Sequence, residues 1–434
     1  MPFDDITVAK DATAGRYAVT VRYLDAVQTV TAQVIEGDLL YAWGNNDRHQ
    51  VHDSAAQTQA TPWAWSPSNG PAPFTGYTSV FYTTYTAITG ADRTLDAHTD
   101  LFETIVTSGL PGWPNGTSAG RVRLHRGVAT SLVSNNKGQA AAATFFWGED
   151  GQLYATGDNN ADMFSLGDGT PYDGSTSYSA PVKAGTKVLA ANPGASITSI
   201  HTGADHNRVA YVLSDGTVWN SGRNNHYSAM GLNIAEAGQF LAGQTVKQDG
   251  AALTGVVSVA IAVESTVYLD RAGQLWGSGY NHNTEGQLVG IAPGYYYTAA
   301  TPLALPEGKK VAKVWAAGLN VIVQAIDGTC YIAGANSSGL GSTGSTARSR
   351  NAWTRVNVAR GKTVADIAIS TLGALYRMTD GTVYFAGDNA KSGNGAGASS
   401  TLYTSMIQVP LAGPASDIAV THDNTYAALV PSRY

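Results

Sequence analysis

Residues 380–389 read DGTVYFAGDN, and nearly the same decapeptide, DGTVWNSGRN, stands at 215–224. Alignment on the glycine that closes it brings out DGQLYATGDN at 150–159, AGQLWGSGYN at 272–281, DGTCYIAGAN at 327–336 and a looser copy, GDLLYAWGNN, at 37–46. The closing glycines are Gly44, Gly157, Gly222, Gly279, Gly334 and Gly387. From Gly157 onward they are spaced by 65, 57, 55 and 53 residues, whereas Gly44 and Gly157 lie 113 apart. That first interval spans about two units, so a degenerate copy is expected inside it; TAITGAD (86–92) fits, with Gly90 in the closing position. A near-constant period of this size signals a repeat architecture, here of seven units.

Each unit has the grammar of a small antiparallel meander. In AYVLSDGTVWNSG (210–222) an apolar run meets a Ser-Asp-Gly-Thr turn and then a second run rich in β-formers. Asp-Gly predicts a tight type I′ hairpin, which needs positive φ at both central residues. Asp150-Gly151, Asp327-Gly328 and Asp380-Gly381 repeat the device, and ITSIHTG (197–203), VVSVAIA (256–262), AKVWAAG (312–318) and ADIAIST (365–371) supply a strand upstream. A lone meander leaves a sheet face bare, while a ring of them covers every face and removes free edges. The last unit, DIAVTHDNTYAALVPSRY (417–434), stops after its early strands. Closure therefore falls to the N-terminus, where YAVTVRY (17–23) and TVTAQVI (29–35) are strand-like; which of the N-terminal strands closes the ring stays open. The asparagines ending the motif (Asn46, Asn159, Asn224, Asn281, Asn336 and Asn389) recur in one slot, as residues that hold turns do.

The motif DG-T/Q-apolar-aromatic-x-x-G-x-N, followed by text such as GQLVG (286–290), resembles the repeat of the regulator of chromosome condensation family. The resemblance covers residues 37–434 and is weakest over 47–140. It implies an all-β, seven-bladed β-propeller, with a lead at 1–36 and an aromatic, proline-rich insertion at about 47–140. It says less about function. The family includes nucleotide-exchange factors for small GTPases, ligase-associated modules, and bacterial and phage binding proteins. The exchange loops find no residue-by-residue match here, so none of their residues is carried over.

Composition narrows the classes. Of 434 residues, 43% are hydrophobic and 13% charged, which suits a large core and argues against disorder. A net charge of −6 without a basic stripe argues against nucleic acid. The single cysteine, Cys330, excludes an internal disulfide and suits a reducing compartment. MPFDDITVAK lacks the basic and apolar regions of a signal peptide, and no apolar run reaches 18 residues, so no membrane insertion is expected.

Chemical motifs dissolve on inspection. GLGSTG (339–344) has the dinucleotide-loop spacing but leads into STARSRN, not an apolar helix. GKT (361–363) lacks its glycine, with Val356 in that place. Asp158, Asn160 and Asp162 have calcium-loop spacing, but Met163 and Gly169 stand where glycine and glutamate belong. His49, His52 and Asp53 lack a supporting ligand pattern. Cys330 takes a slot filled by Val218, Leu275 and Val383 in sister units, which marks it as a packing thiol. No GxSxG elbow or HExxH motif exists. The expectation is a protein that is not an enzyme, with no cofactor and no metal.

Where the repeat breaks, aromatics gather. The stretch at 59–85 carries Trp63, Trp65, Phe74, Tyr77, Phe81, Tyr82 and Tyr85; LPGWPNGT (110–117) carries Trp113; IAPGYYYTAATP (291–302) carries Tyr295, Tyr296 and Tyr297. Phe81, Tyr82 and Tyr85 suit a degenerate blade's core. Trp63, Trp65, Trp113 and Tyr295–Tyr297 are the candidate binding loops, since connections on a rigid scaffold carry recognition and aromatics dominate contact energies. The function expected is non-catalytic protein or glycan binding. The low charge and the abundance of Thr, Ala, Gly, Ser and Asn suggest a bacteriophage structural or decoration protein, with partners among other virion proteins or a host-surface protein or glycan. In that case it sits in the virion after assembly in the host cytoplasm; otherwise it is soluble and cytoplasmic. The alternatives are an exchange-factor-like regulator of a small GTPase and a soluble glycan-binding lectin.

Overall fold

The computed structural model describes residues 152–430, apart from 160–161, 167–176, 203–207, 224–228, 235–239, 398, 400 and 421–423, and only strands before residue 152. The regular structure of the described chain is antiparallel β apart from one short α-helix, Thr186–Ala191, and a 3-10 turn at Pro306–Gly308. Among the described residues six four-stranded sheets follow one another. Five are meanders in chain order. They begin with the strands Ala129–Asn135, Ile197–Thr202, Val256–Ile261, Val311–Ala317 and Val364–Ile369.

The sixth sheet joins the chain ends: Asp417–Val420 and Thr425–Val430 are completed by Leu39–Asn45 and Thr58–Trp65. YAVTVRY and TVTAQVI therefore do not close the ring. They pair with each other in a hairpin, Val19 opposite Val30. The closing sheet is tied to its predecessor by the Trp43 indole N–H on the Gly393 carbonyl (3.1 Å) and the Ser370 hydroxyl on Asn424 Oδ1 (2.7 Å). The expected unit at 86–92 lies outside the described residues. A two-stranded sheet, Phe102–Ile105 with Gly120–Arg123, occurs further along the interval between Gly44 and Gly157.

The fold is held between sheets, not inside one central core. Phe145, Leu153, Phe164 and Val188 pack on Ile200, Val209 and Tyr211 of the next sheet. The same layer recurs at each later junction: Val212, Val218 and Leu253 with Val259 and Tyr268; Leu269, Leu288 and Leu303 with Val314 and Tyr331; Ile322, Cys330 and Leu340 with Ile367 and Tyr376; Phe385 and Val409 with Trp43 and Tyr426. Consecutive sheets stack through their first strands, as blades around an axis do. Burial of both faces explains why the second strands read as largely apolar and do not alternate; Arg208–Leu213 and Asn320–Ala325 are buried throughout.

The Asp-Gly turns differ from the expected type. Gly216, Gly273, Gly328 and Gly381 have φ between +78 and +84°, but Asp215, Asp327 and Asp380 do not have positive φ. The Gly216 N–H donates to the Leu213 carbonyl (2.8 Å) and the Leu213 N–H to the Thr217 carbonyl (2.9 Å). These are type I turns closed by a left-handed glycine, the three-residue hairpin and not type I′. The aspartate serves the turn through its side chain instead. Its Oδ1 accepts the backbone N–H two residues on, at Thr217 (2.9 Å), Thr329 (2.9 Å) and Thr382 (3.0 Å). Where Ala272 replaces it, Asp270 reaches over and accepts from the N–H groups of Ala272 and Gln274.

Candidate functional site

The recurrent residues of the repeat that the structure describes are engaged by the fold. The closing glycines Gly44, Gly279, Gly334 and Gly387 have φ from +97 to +137° and lie against the carbonyls of Asn424, Glu264, Leu319 and Leu372. Each of those carbonyls accepts the N–H of the residue after the glycine, at 2.8–3.1 Å. The motif asparagines act as buried clamps. Asn281 Oδ1 accepts the Leu288 N–H (2.9 Å) while its amide donates to the carbonyls of Leu288 and Ile291. Asn336 spans to Gly341 and Ser345, Asn389 to Asn394 and Gly397, and Asn159 accepts from Phe164. Asn46 and Asn224 fall outside the described residues.

A further repeat signal escapes a reading by motif alone. Tyrosine stands five residues before the turn glycine at Tyr211, Tyr268 and Tyr376, and Val323 replaces it in one unit. These tyrosines are fully buried, and each hydroxyl crosses to the preceding blade, donating to the carbonyls of Met163 (2.5 Å), Met230 (3.2 Å) and Leu340 (2.6 Å). Burial raises the pKa of all three, so they remain protonated donors.

The motifs that imitate chemical sites are structural as well. In GLGSTG the Gly341 N–H is held by Asn336 Oδ1 and the Gly344 N–H by the Thr404 carbonyl, so the loop offers no phosphate cradle there. Asp162 accepts the Leu166 N–H and lies 3.7 Å from Lys187. Lys362 of GKT pairs with Asp380. Cys330 is fully buried, and burial pushes its thiol up to about 12. Among the described residues no three His, Cys, Asp or Glu side chains gather as a metal site, and no helix is long and apolar enough to cross a membrane. His49, His52 and Asp53 lie outside the described residues.

The candidate binding residues that the structure describes lie on strands, not in protruding loops. Trp63 and Trp65 belong to the outer strand of the closing sheet, in register with Ala42 and Leu40. Trp113 lies outside the described residues, as do Phe74, Tyr77, Phe81, Tyr82 and Tyr85. Tyr295, Tyr296 and Tyr297 begin the outer strand Tyr295–Pro302, opposite Asn281, Tyr280 and Gly279. Strand pairing wins because Asn281 tethers the preceding loop and the Gly294 N–H bonds the Asn281 carbonyl (2.6 Å), delivering the tyrosines to the sheet edge.

That edge is the most exposed aromatic surface described. Tyr295 is 64% and Tyr296 54% exposed. Tyr296 stacks on its cross-strand partner Tyr280, with centroids 4.7 Å apart and an interplanar angle of 28°. Tyr297 turns its hydroxyl to the Ala292 carbonyl (3.1 Å). Beside them opens a cleft of about 530 Å³ whose far wall is Asn233 and Gln248 of the preceding blade. That wall is bonded in place: the Asn233 N–H donates to the Thr298 carbonyl (2.7 Å), the Thr298 hydroxyl to Asn233 Oδ1 (3.3 Å) and Gln248 Nε2 to Thr301 Oγ1 (3.2 Å). Among the described residues, no charged side chain lines it. Two other clefts are charged. One holds Asp327, Arg355, Arg360 and Lys362, and the other holds Arg348 and Arg350, where Glu285 lies 3.4 Å from Arg348.

No family model and no curated protein matches the chain in sequence. Solved structures match it in fold. Human WBSCR16 aligns with a TM-score of 0.69 at 13% identity, covering 92% of this chain and 100% of that one. Prp20p of Saccharomyces cerevisiae, described with its binding to Gsp1p and histones, aligns at 0.66 with 12% identity, covering 92% and 93%. The same yeast RCC1 protein bound to Kap60 aligns at 0.65 with 12% identity, covering 92% and 90%. The architecture of this chain is thus that of the RCC1-type β-propellers.

Proposed function

We propose that the chain is a non-catalytic recognition propeller that presents the Tyr295–Tyr297 edge to a macromolecular partner. One observation carries this reading. The described asparagines and aspartates of the repeat are engaged by its own backbone, whereas Tyr295 and Tyr296 stand exposed on a rigid edge beside an open cleft. Exposed aromatics held by a scaffold give contact area at low entropic cost. Protein partners suit this architecture, since Prp20p is described with Gsp1p, histones and Kap60. Membership of a virion rests on composition alone, and the structural neighbours lend it no support.

Crosslinking mass spectrometry on the chain captured from its native source tests the proposal. Crosslinks that map a partner around residues 291–302 support it. A partner crosslinked only to the opposite, Asp-Gly turn side of the ring removes the Tyr edge from the proposal. The neighbour Prp20p and its printed partner Gsp1p motivate a second reading, regulation of a small GTPase. Accelerated nucleotide release from a crosslinked GTPase would favour it, and unchanged release would dismiss it.

A further inference from the structure

We infer that the cleft beside Tyr295–Tyr297 binds a neutral saccharide. This rests on the recognition reading above and names the chemical group recognised at that site. The geometry meets the needs of a polyhydroxylated ligand in three respects. The first is an aromatic platform: Tyr296, backed by Tyr280 at 4.7 Å, holds a fixed ring orientation, and Tyr295 stands exposed beside it. The apolar C–H face of a pyranose lies against such rings, as aliphatic groups do on aromatic surfaces.

The second is polar complementarity. Asn233 uses Oδ1 on the Thr298 hydroxyl and Gln248 uses Nε2 on Thr301. A planar amide has both a donor and an acceptor end. Asn233 therefore keeps its Nδ2 donor and Gln248 its Oε1 acceptor for a ligand, and both residues are solvent-accessible. A donor and an acceptor on one wall are the groups that a sugar's hydroxyls pair with. The third is neutrality: the nine described lining residues carry no charge, so among them neither a phosphate nor a carboxylate finds a counter-ion. A volume of about 530 Å³ suits one or two sugar rings.

The two walls come from different blades and are joined by backbone bonds. These run from the Asn233 N–H to Thr298 and from the Ala300 N–H to Val246 (2.8 Å), so the cleft is preformed. Preformed open sites of this size bind simple sugars weakly, with a dissociation constant on the order of 1 mM.

The test is saturation-transfer NMR of the purified full chain with methyl α-mannoside, lactose, maltotriose and chitotriose, with sialyllactose and tetramethylammonium as charged probes. At least one neutral sugar is expected to bind, and Tyr296→Ala to weaken it roughly tenfold, as loss of a stacking ring implies. Gln248→Ala, an exposed change outside the strand, provides the second variant and is expected to weaken the same sugar while the thermal midpoint stays unchanged. Binding that survives both substitutions, tetramethylammonium as the sole ligand, or no neutral sugar bound overturns the saccharide assignment. If no sugar binds but Tyr295→Ala/Tyr296→Ala still abolishes partner capture, the saccharide is wrong and the recognition edge stands.

Discussion

Substituting Gly334 by alanine should damage the ring far more than the same change at Gly361, although both glycines have positive φ. Gly334 has φ +118°, and a Cβ there would overlap the Leu319 carbonyl oxygen and lie 2.9 Å from Asn320 Cα. That oxygen accepts the Ala335 N–H at 3.0 Å, so the collision cannot be relieved without opening the bond. Left-handed strain costs about 1–2 kcal/mol for an L-residue. Leaving the half-buried Ala335 N–H unpaired adds about 1–3 kcal/mol. The expected loss is therefore about 2–5 kcal/mol, a large part of the roughly 5–15 kcal/mol that holds a typical domain. Gly361 has φ +74° with no atom within 4 Å of the added Cβ, so only the strain applies, about 1–2 kcal/mol. Equilibrium urea unfolding of the two variants and the parent, compared at constant m-value, measures the difference. Equal losses for Gly334→Ala and Gly361→Ala would refute the claim that the closing glycine is required by close approach to the neighbouring strand.

Tyr376→Phe removes the hydroxyl on the Leu340 carbonyl and is expected to cost about 1–2 kcal/mol in the same unfolding assay, whereas a surface change such as Thr346→Ala should be near neutral. Asn389→Ala strands the Asn394 N–H and the Gly397 carbonyl and should raise hydrogen exchange across residues 389–399, read by mass spectrometry. Cys330 should resist iodoacetamide at pH 8 in the folded chain and react on unfolding, as mass shift will show. Its folded pKa of about 12 lies above the unfolded value of about 8.5, so its stabilising contribution is full below pH 8.5 and is lost as pH rises toward 12. Cys330→Ala should flatten that alkaline decline in urea titrations.

The fold was legible because its determinants are local and recur. Asp-Gly pairs at 215–216, 327–328 and 380–381 mark hairpins through chemistry that acts within four residues, and the closing glycines Gly279, Gly334 and Gly387 mark close approach to a neighbouring strand. The turn subtype was not legible: it depends on the φ of Asp215 and its equivalents, and Asp-Gly is compatible with both hairpin types. The closing strands were hidden for a related reason. YAVTVRY and TVTAQVI have strand composition, but composition does not choose a partner, and a short connection favours the hairpin with each other over a distant pairing. The buried tyrosines escape notice because Val323 interrupts their series and their hydrogen bonds cross between blades.

The site was legible only as a concentration of aromatics. IAPGYYYTAATP reads as a break in the repeat, yet Asn281 and Gly294 return it to the sheet as an outer strand. Its cleft depends on Asn233 and Gln248, residues of another blade that no motif connects to Tyr295. Only the ring brings them together.

The most direct test of recognition through the Tyr edge is paired affinity capture from the native source, quantified by mass spectrometry, with the parent chain and Tyr295→Ala/Tyr296→Ala matched for thermal midpoint. Loss of the crosslinked partner from the variant is the expected result. Recovery of the same partner in equal amount from both would contradict it.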